Sequence, residues 1–492
     1  MGNEIGKTQI ITSLLWKFIE RVGTQGIQFI IMIILARFLL PEDFGLIVVV
    51  TIFISIATVI TQSGFNAALI QAKKIDELDL SSVFYLNIFI ATILYSILFF
   101  ISPFIASFFE QPQLTPVLRI LSISLFFGAF NSLQHTIIAR DMQFKKLFIS
   151  SLSGVIISGI IGITMAYSNL GIWALVIQQL LFHIIITVTL WYTVKWRPQL
   201  SFSMERLGRL FSFGWKLLLS SLIDTIYSNI KNLIIGKLYS PSILGFYNRG
   251  EQFPSVLVNN INGSILSVMF PALSSQQDNT KRMKEMMRRA IVTSSFIVFP
   301  MMVGLAVIAE PLVKFLLTEK WLPAVPFLQI FCAIYALWPI HTANLQAINA
   351  LGRSDIYLKL EIIKKVLGIV ILIVTIPFGV YAIAVGSIVS GIISSFLNAY
   401  PNITLLNYSL KEQFSDISSS LLISLIMGGV IYTIHWTNLP DIIKIFAQVF
   451  SGVILYIGLA KLLRLEILNY LVLTMKEIFK KNKEITVKEI YE

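Results

Sequence analysis

The chain has 492 residues, of which 56% are hydrophobic and only 13% charged, and its mean hydropathy is +0.80. That charged share is about half the value for a typical soluble domain. A soluble protein of this length could not hide so much apolar surface, so these values exclude an ordinary soluble enzyme and imply a polytopic membrane protein.

The net charge of +12 would suggest nucleic acid in a soluble protein. Here basic residues flanking membrane spans account for it, and no nucleic-acid partner is expected. The single cysteine, Cys332, rules out a disulfide framework. The polar start MGNEIGKTQI has no cleavable signal pattern, so the first span is expected to act as its own insertion signal.

The first apolar segment, near 12–36, is unusual because it contains Lys17, Glu20 and Arg21. Further spans are expected near 44–62, 81–105, 115–139, 147–167 and 171–192. A second set lies near 210–236, 252–274, 290–310, 324–349, 358–377 and 380–404, and a final pair near 417–436 and 442–461. Residues 147–194 and 366–410 carry no charge, and each is too long for one crossing of roughly 20 residues. Turn residues at Ser168-Asn169-Leu170-Gly171 and Pro377-Phe378-Gly379 divide each run into a hairpin of two helices. The runs are too long for barrel strands and lack strict alternation.

With the N-terminus inside, 27 lysines and arginines fall in cytoplasmic segments and 7 in outer ones. The other four, Lys17, Arg21, Lys216 and Lys231, fall inside spans. This bias predicts fourteen spans, with both termini on the cytoplasmic side.

An internal repeat is visible. ARFLLPEDFGLI (36–47) resembles GKLYSPSILGFY (236–247), matching Pro41 with Pro241 and Gly45 with Gly245. Trp16-Lys17 matches Trp215-Lys216, LQHTIIARD (133–141) echoes LQAINALGRSD (345–355), and GIWAL (171–175) echoes GVYAI (379–383). Each unit holds six spans, so both halves keep the same orientation in the membrane. The expected fold is all-α, with about 14 transmembrane helices in two six-helix pseudo-symmetric lobes plus two extra helices. The expected divisions are an N-lobe over 1–200, a C-lobe over 201–408, accessory spans 13 and 14 over 409–464, and a cytoplasmic amphipathic, basic tail over 465–492. That tail reads equally as an interfacial helix on anionic lipid or as a solvated segment.

His135, His183, His341 and His435 are scattered, and no zinc-protease, paired-cysteine or phosphate-loop motif occurs. No catalytic residue, cofactor or metal site is expected. The charges inside spans are more informative, because an ionisable group exposed to lipid costs several kcal/mol. Lys17, Glu20 and Arg21 share one helical face, which Thr24, Gln25 and Gln28 extend. In the seventh span, Lys216, Ser220, Asp224, Ser228 and Lys231 recur every three to four residues. Such stripes belong to helices lining a water-filled cavity.

The two helices are repeat mates and are expected to face each other across a central cleft. Four cations against two acids suit an anionic cargo such as a phosphate or diphosphate. A plainer reading stays open: Lys17 and Lys231 reach an interface by snorkelling, and Glu20 simply pairs with Lys17 and Arg21. The basic stretch KRMKEMMRR (281–289) reads first as topogenic. Gly128, Gly263, Pro300, Pro326 and Pro339 would permit kinks within spans.

The motif LLPEDFGLI after a charged first span resembles the polysaccharide flippases of the multidrug/oligosaccharidyl-lipid/polysaccharide exporter superfamily. The similarity is greatest to the bacterial branch linked to O-antigen, colanic acid and teichuronic acid export. The resemblance implies two lobes around a cationic cavity and a cytoplasmic-membrane transporter. Its cargo would be undecaprenyl-diphosphate-linked oligosaccharide, moved from the inner to the outer leaflet for exopolysaccharide or lipopolysaccharide synthesis. The lipid tail would stay in the bilayer beside spans 13 and 14. The resemblance matches Arg21 to the family's first-span cation, and Lys216 and Lys231 to its seventh-span cations. Lys17, Gln25 and Gln28 complete the expected substrate-binding set. Coupling to H+ or Na+ would fall to Glu20 and Asp224. Membrane lipids and a polysaccharide polymerase are candidate partners. Two rivals are a drug/cation antiporter of the same superfamily, which would prefer an acidic cavity, and a membrane polymerase or ligase, which would need a large outer loop.

Overall fold

The computed structural model describes residues 7–72, 75–473 and 476–477. Lys73 and Lys74, and residues 478–492 of the basic tail, lie outside the described residues. Among the described residues every regular element is helical. The chain divides into two compact units, Met1–Asn248 and Arg249–Glu492.

The first unit contains α1 (Lys7–Phe38), α2 (Pro41–Gln71), α3 (Glu77–Phe108), α4 (Leu114–Leu121), α5 (Ser124–Arg140), α6 (Phe144–Tyr167), α7 (Ile172–Thr193) and α8 (Met204–Leu238). It also takes in the start of α9 (Pro241–Ser274). Local chemistry sets the helix starts. Pro41 opens α2, where its missing N–H is no loss, and the Leu40 N–H donates to Asp43 Oδ2 at 2.9 Å. Asp76 and Asp79 cap the start of α3 reciprocally, at 2.9 and 3.2 Å. Gly171, with φ +54°, makes the turn between α6 and α7.

Small residues let these helices approach closely. On α6, Gly159 meets Ile31 of α1, while Gly154 and Gly162 meet α7 through Phe182, Ile186 and Gln178. α8 lies along α2. Gly64 and Gly214 bring those two backbones together: a Cβ on Gly64 would sit 3.1 Å from the Gly214 carbonyl oxygen.

The second unit contains the rest of α9, then α10 (Thr280–Val307), α11 (Ala309–Leu317), α12 (Val325–Ala336), α13 (Trp338–Ala350), α14 (Ser354–Thr375), α15 (Val380–Ala399), α16 (Pro401–Leu406), α17 (Leu410–Tyr432) and α18 (Asp441–Leu462). α10 is its hub, packing on α17, α12 and α13. Gly379, with φ +96°, makes the turn into α15, so the second long charge-free run is also a helical hairpin. Ser409 and Glu412 form a capping box at the start of α17.

Eleven helices among the described residues are long and apolar enough to cross a membrane, so this is a multi-pass membrane protein. The other three expected spans fall within α8, α9 and α14, helices of 35, 34 and 22 residues. Polar and charged residues set them apart from the other eleven, by lowering the apolar character of α8 and α9 and by crowding charges into the first half of α14. These are Lys216, Asp224 and Lys231 in α8, Asn259, Asn260 and Asn262 in α9, and Lys359, Glu361, Lys364 and Lys365 in α14.

Two expected spans are interrupted. The fourth breaks at Ser122-Ile123 between α4 and α5, and the tenth at Leu337 between α12 and α13. Pro339 falls in the first turn of α13, where it costs no hydrogen bond, and Pro326 does the same in α12. Pro300, in contrast, lies inside an unbroken α10.

Candidate functional site

α1 presents three faces. Ser13, Thr24, Ile31 and Leu35 are buried. Leu15, Phe18, Ile19, Val22 and Ile30 form an exposed apolar face. Lys17, Arg21, Gln25 and Gln28 form an exposed polar line between those two. This division follows from helical spacing, since positions 17, 21, 25 and 28 recur at three or four residues.

The helix is held by α6. Trp16 and Phe148 are 5.6 Å apart at their ring centroids, and Gly23 leaves room for Phe148. Lys17 Nζ lies 2.9 Å from Glu20 Oε2. Ser151 of α6 donates to Glu20 Oε1 at 3.3 Å, so one carboxylate is shared between the stripe and the packing face. Lys17 also lies 5.6 Å from the centre of the Phe144 ring.

On α8, Lys216 and Asp224 are exposed and Lys231 is half-buried. Ser, Thr and Asn side chains in and beside this stripe turn back onto their own helix. Thr225 donates to the Ser221 carbonyl at 2.8 Å, Ser228 to that of Thr225 at 3.0 Å, and Asn229 to that of Thr225 at 2.9 Å. α1 packs along α6 and α8 along α2. Each expected stripe is therefore a contiguous line on its own helix. The facing of the two stripes across a central cleft stays an expectation.

Several polar groups were not singled out by sequence reasoning. Arg249, expected in an outer loop, is buried inside α9 with a hydrogen bond to Gln252, and lies 5.7 Å from the buried Trp321 ring centre. Glu251 accepts from the Tyr335 hydroxyl at 3.1 Å. The signal was available: Arg249 and Glu251 follow Gly245 within two helical turns, too soon for a loop after the Pro241 helix start. Glu361 and Lys364 pair at 2.5 Å within α14. His341 lies between Ser395 at 3.2 Å and Asn398 at 3.1 Å, and Asn344 bridges Gln413 at 3.0 Å and Asn402 at 2.8 Å. Among the described residues, no group of three or more His, Cys, Asp or Glu could hold a metal ion.

Chemically, the α1 and α8 stripes offer ammonium and guanidinium groups to an anion, amides to hydroxyls, and two carboxylates able to exchange a proton or a cation. The family model for "Polysaccharide biosynthesis protein" matches residues 34–326, more than half of the chain. The chain belongs to this family. Its relatives include the teichuronic acid biosynthesis protein TuaB of Bacillus subtilis, 27% identical over 82% of this chain and 85% of that protein. The lipopolysaccharide biosynthesis protein WzxC of Escherichia coli is 24% identical over 80% of this chain and 81% of its own length. In three dimensions this family member resembles the lipid II flippase MurJ in its inward closed conformation. The TM-score is 0.75 at 17% identity, covering 92% of this chain and 98% of MurJ, a likeness of fold.

Proposed function

We propose that the chain is a flippase that carries undecaprenyl-diphosphate-linked oligosaccharide from the inner to the outer leaflet of the cytoplasmic membrane. The observation that supports it best is the exposed line Lys17–Arg21–Gln25–Gln28 on a helix otherwise suited to the bilayer. Exposed cations on such a helix are costly against lipid and favourable against a phosphorylated head group in a wet cavity. The family and its curated relatives in teichuronic acid and lipopolysaccharide synthesis point to the same class of cargo.

In this reading the molecule has fourteen spans, with both termini cytoplasmic, two lobes over 1–200 and 201–408, and accessory spans over 409–464. Arg21, Lys216 and Lys231 neutralise the diphosphate, Lys17 joins them, and Gln25 and Gln28 meet sugar hydroxyls. The cargo competes with Glu20 for Lys17. Protonation or cation binding at Glu20 and Asp224 resets the cavity, which gives a route for H+ or Na+ to drive alternating access. No covalent chemistry is required of the protein.

An apolar cleft of about 500 Å3 beside α17 and α18, lined by Phe296, Pro300, Met427, Val453 and Tyr456, is suited to the polyprenyl tail. The antiporter reading is weaker, because four cations against two acids disfavour a cationic drug.

The test is transbilayer movement of a fluorescent undecaprenyl-diphosphate oligosaccharide in liposomes holding the purified protein. Wild type moves it, and Arg21→Ala slows it tenfold or more, since a hydrogen bond to a charged group contributes about 1.5–3 kcal/mol. Movement by wild type that Arg21→Ala leaves unchanged removes the cationic stripe from cargo binding. No movement under any ion gradient removes the flippase reading itself.

A further inference from the structure

A second basic site lies outside this stripe. A cleft of about 580 Å3 opens between the first turns of α1 and the start of α6, lined by Ser13, Trp16, Gln143, Lys145, Lys146 and Ile149 among others. Its shape is built in. Ser13 Oγ donates to the Met142 carbonyl at 2.7 Å and ties the α5–α6 turn to α1. Met142 itself takes φ +56°, a left-handed conformation that a side-chain-bearing residue seldom adopts, and this swings the chain around the cleft.

The lining mixes cations and aromatics. Lys145 Nζ lies 5.5 Å from the Trp16 ring centre, so one wall offers an ammonium beside an indole. Among the described residues, no aspartate or glutamate lines the cleft. From its mouth an apolar line runs along α6 through Ile149, Ile156 and Ile160, all exposed and spaced on one helical face. A soluble anion would need the cations but gains nothing from that line. A lipid uses both, with its phosphate at the lysines, its glycerol against Trp16 and an acyl chain along the isoleucines. Trp and Lys together at a span end are what the membrane interface selects.

We propose that this cleft binds the phosphate of an anionic glycerophospholipid in the leaflet at the α1 start, as a resident lipid separate from the transported cargo. The polyprenyl carrier is the less suitable occupant, because Arg21, Gln25 and Gln28 lie on α1 beyond the cleft lining. The proposal does not depend on the flippase reading, and its test involves no transport.

The test is native mass spectrometry of the full-length protein released from nanodiscs of phosphatidylglycerol and phosphatidylcholine. Wild type retains phosphatidylglycerol in preference. The Lys145→Gln/Lys146→Gln pair loses retention about twenty-five-fold, two cations near the surface each contributing roughly a factor of five. The Lys145→Arg/Lys146→Arg pair restores it, which separates charge from misfolding. Equal retention of the two lipids by wild type, or unchanged retention by the glutamine pair, overturns the proposal. So does displacement by millimolar inorganic phosphate, which marks a free-anion site, or preferential displacement by undecaprenyl diphosphate, which assigns the cleft to the cargo.

Discussion

Gly45 and Pro241 touch backbone to backbone: a Cβ on Gly45 would fall inside the van der Waals envelope of the Pro241 carbonyl oxygen. The reverse contact is also made, with Gly245 against the carbonyl oxygen of Pro41. The two copies of the Pro-x-x-x-Gly motif, at the starts of α2 and α9, thus pack reciprocally within the first unit. Residue i of one copy meets residue j of the other, and j meets i, as at an isologous contact. The offset of 200 residues read in the sequence therefore has a physical reason: both glycines are needed for one approach.

Alanine at Gly45 or Gly245 should destabilise the protein by about 1–3 kcal/mol or more, because the obstructing atoms are backbone and cannot swing away. Gly26 is the control. Nothing lies within 4 Å of a Cβ there, so Gly26→Ala should be neutral or stabilising by up to about 1 kcal/mol from helix propensity alone. Thermal unfolding of purified protein, followed by size-exclusion recovery, reads the difference. A Gly45→Ala protein as stable as wild type would mean that the two helix starts are free to separate.

The α8 stripe makes a separate prediction about coupling. If Asp224 exchanges an ion while Lys216 and Lys231 hold the cargo, Asp224→Asn should keep cargo binding and lose its response to an imposed gradient. Lys216→Ala/Lys231→Ala should do the reverse, weakening binding about tenfold or more with the gradient response intact. Proteoliposome transport with and without H+ and Na+ gradients separates the two. Identical profiles for both variants would show that the stripe acts as a single unit.

Acid should weaken the start of α17. The ammonium of Lys284, 2.9 Å away, and the Ser409 backbone N–H hold the Glu412 carboxyl down at about 2. A depressed carboxyl contributes stability above its unfolded value near 4.5 and loses it as pH falls through the folded value. Melting temperature should therefore fall between about pH 5 and 2. Glu412→Gln should be less stable than wild type at neutral pH and should show a flatter profile over that window. Parallel profiles would assign the acid sensitivity to other carboxylates.

Hydropathy and charge made part of this molecule readable. The charge-free runs at 147–194 and 366–410 fold as α6–α7 and α14–α15, turned at Gly171 and Gly379, because a run of twice the crossing length has no other economical course. The polar line on α1 was legible for the same reason, since isolated charges contrast with an apolar background. What stayed hidden depends on partners distant in sequence. Arg249 looked like a loop cation because nothing nearby announces Trp321, 72 residues on, as its neighbour. The break at Ser122-Ile123 has no proline or glycine to mark it. Lys145 and Lys146 entered only the count of cytoplasmic charges, since Trp16 reaches their cleft from another helix.

The network around Asn344 is the strongest case of long-range polar pairing. Asn344, Asn402 and Gln413 come from α13, α16 and α17 and are nearly or fully buried. Asn344 donates to Gln413 at 3.0 Å and accepts from Asn402 at 2.8 Å, so its one amide serves two neighbours. Asn344→Leu fills similar space but leaves both partners without that amide, in a setting where a buried unsatisfied polar group costs about 1–3 kcal/mol. The single change should lower the melting temperature clearly. Asn344→Leu combined with Gln413→Leu and Asn402→Leu should recover part of the loss, because removing all the partners removes the desolvation penalty with them. A triple variant less stable than the single one would show that the amides matter for their shape and packing, and that the network specifies how α13, α16 and α17 fit together.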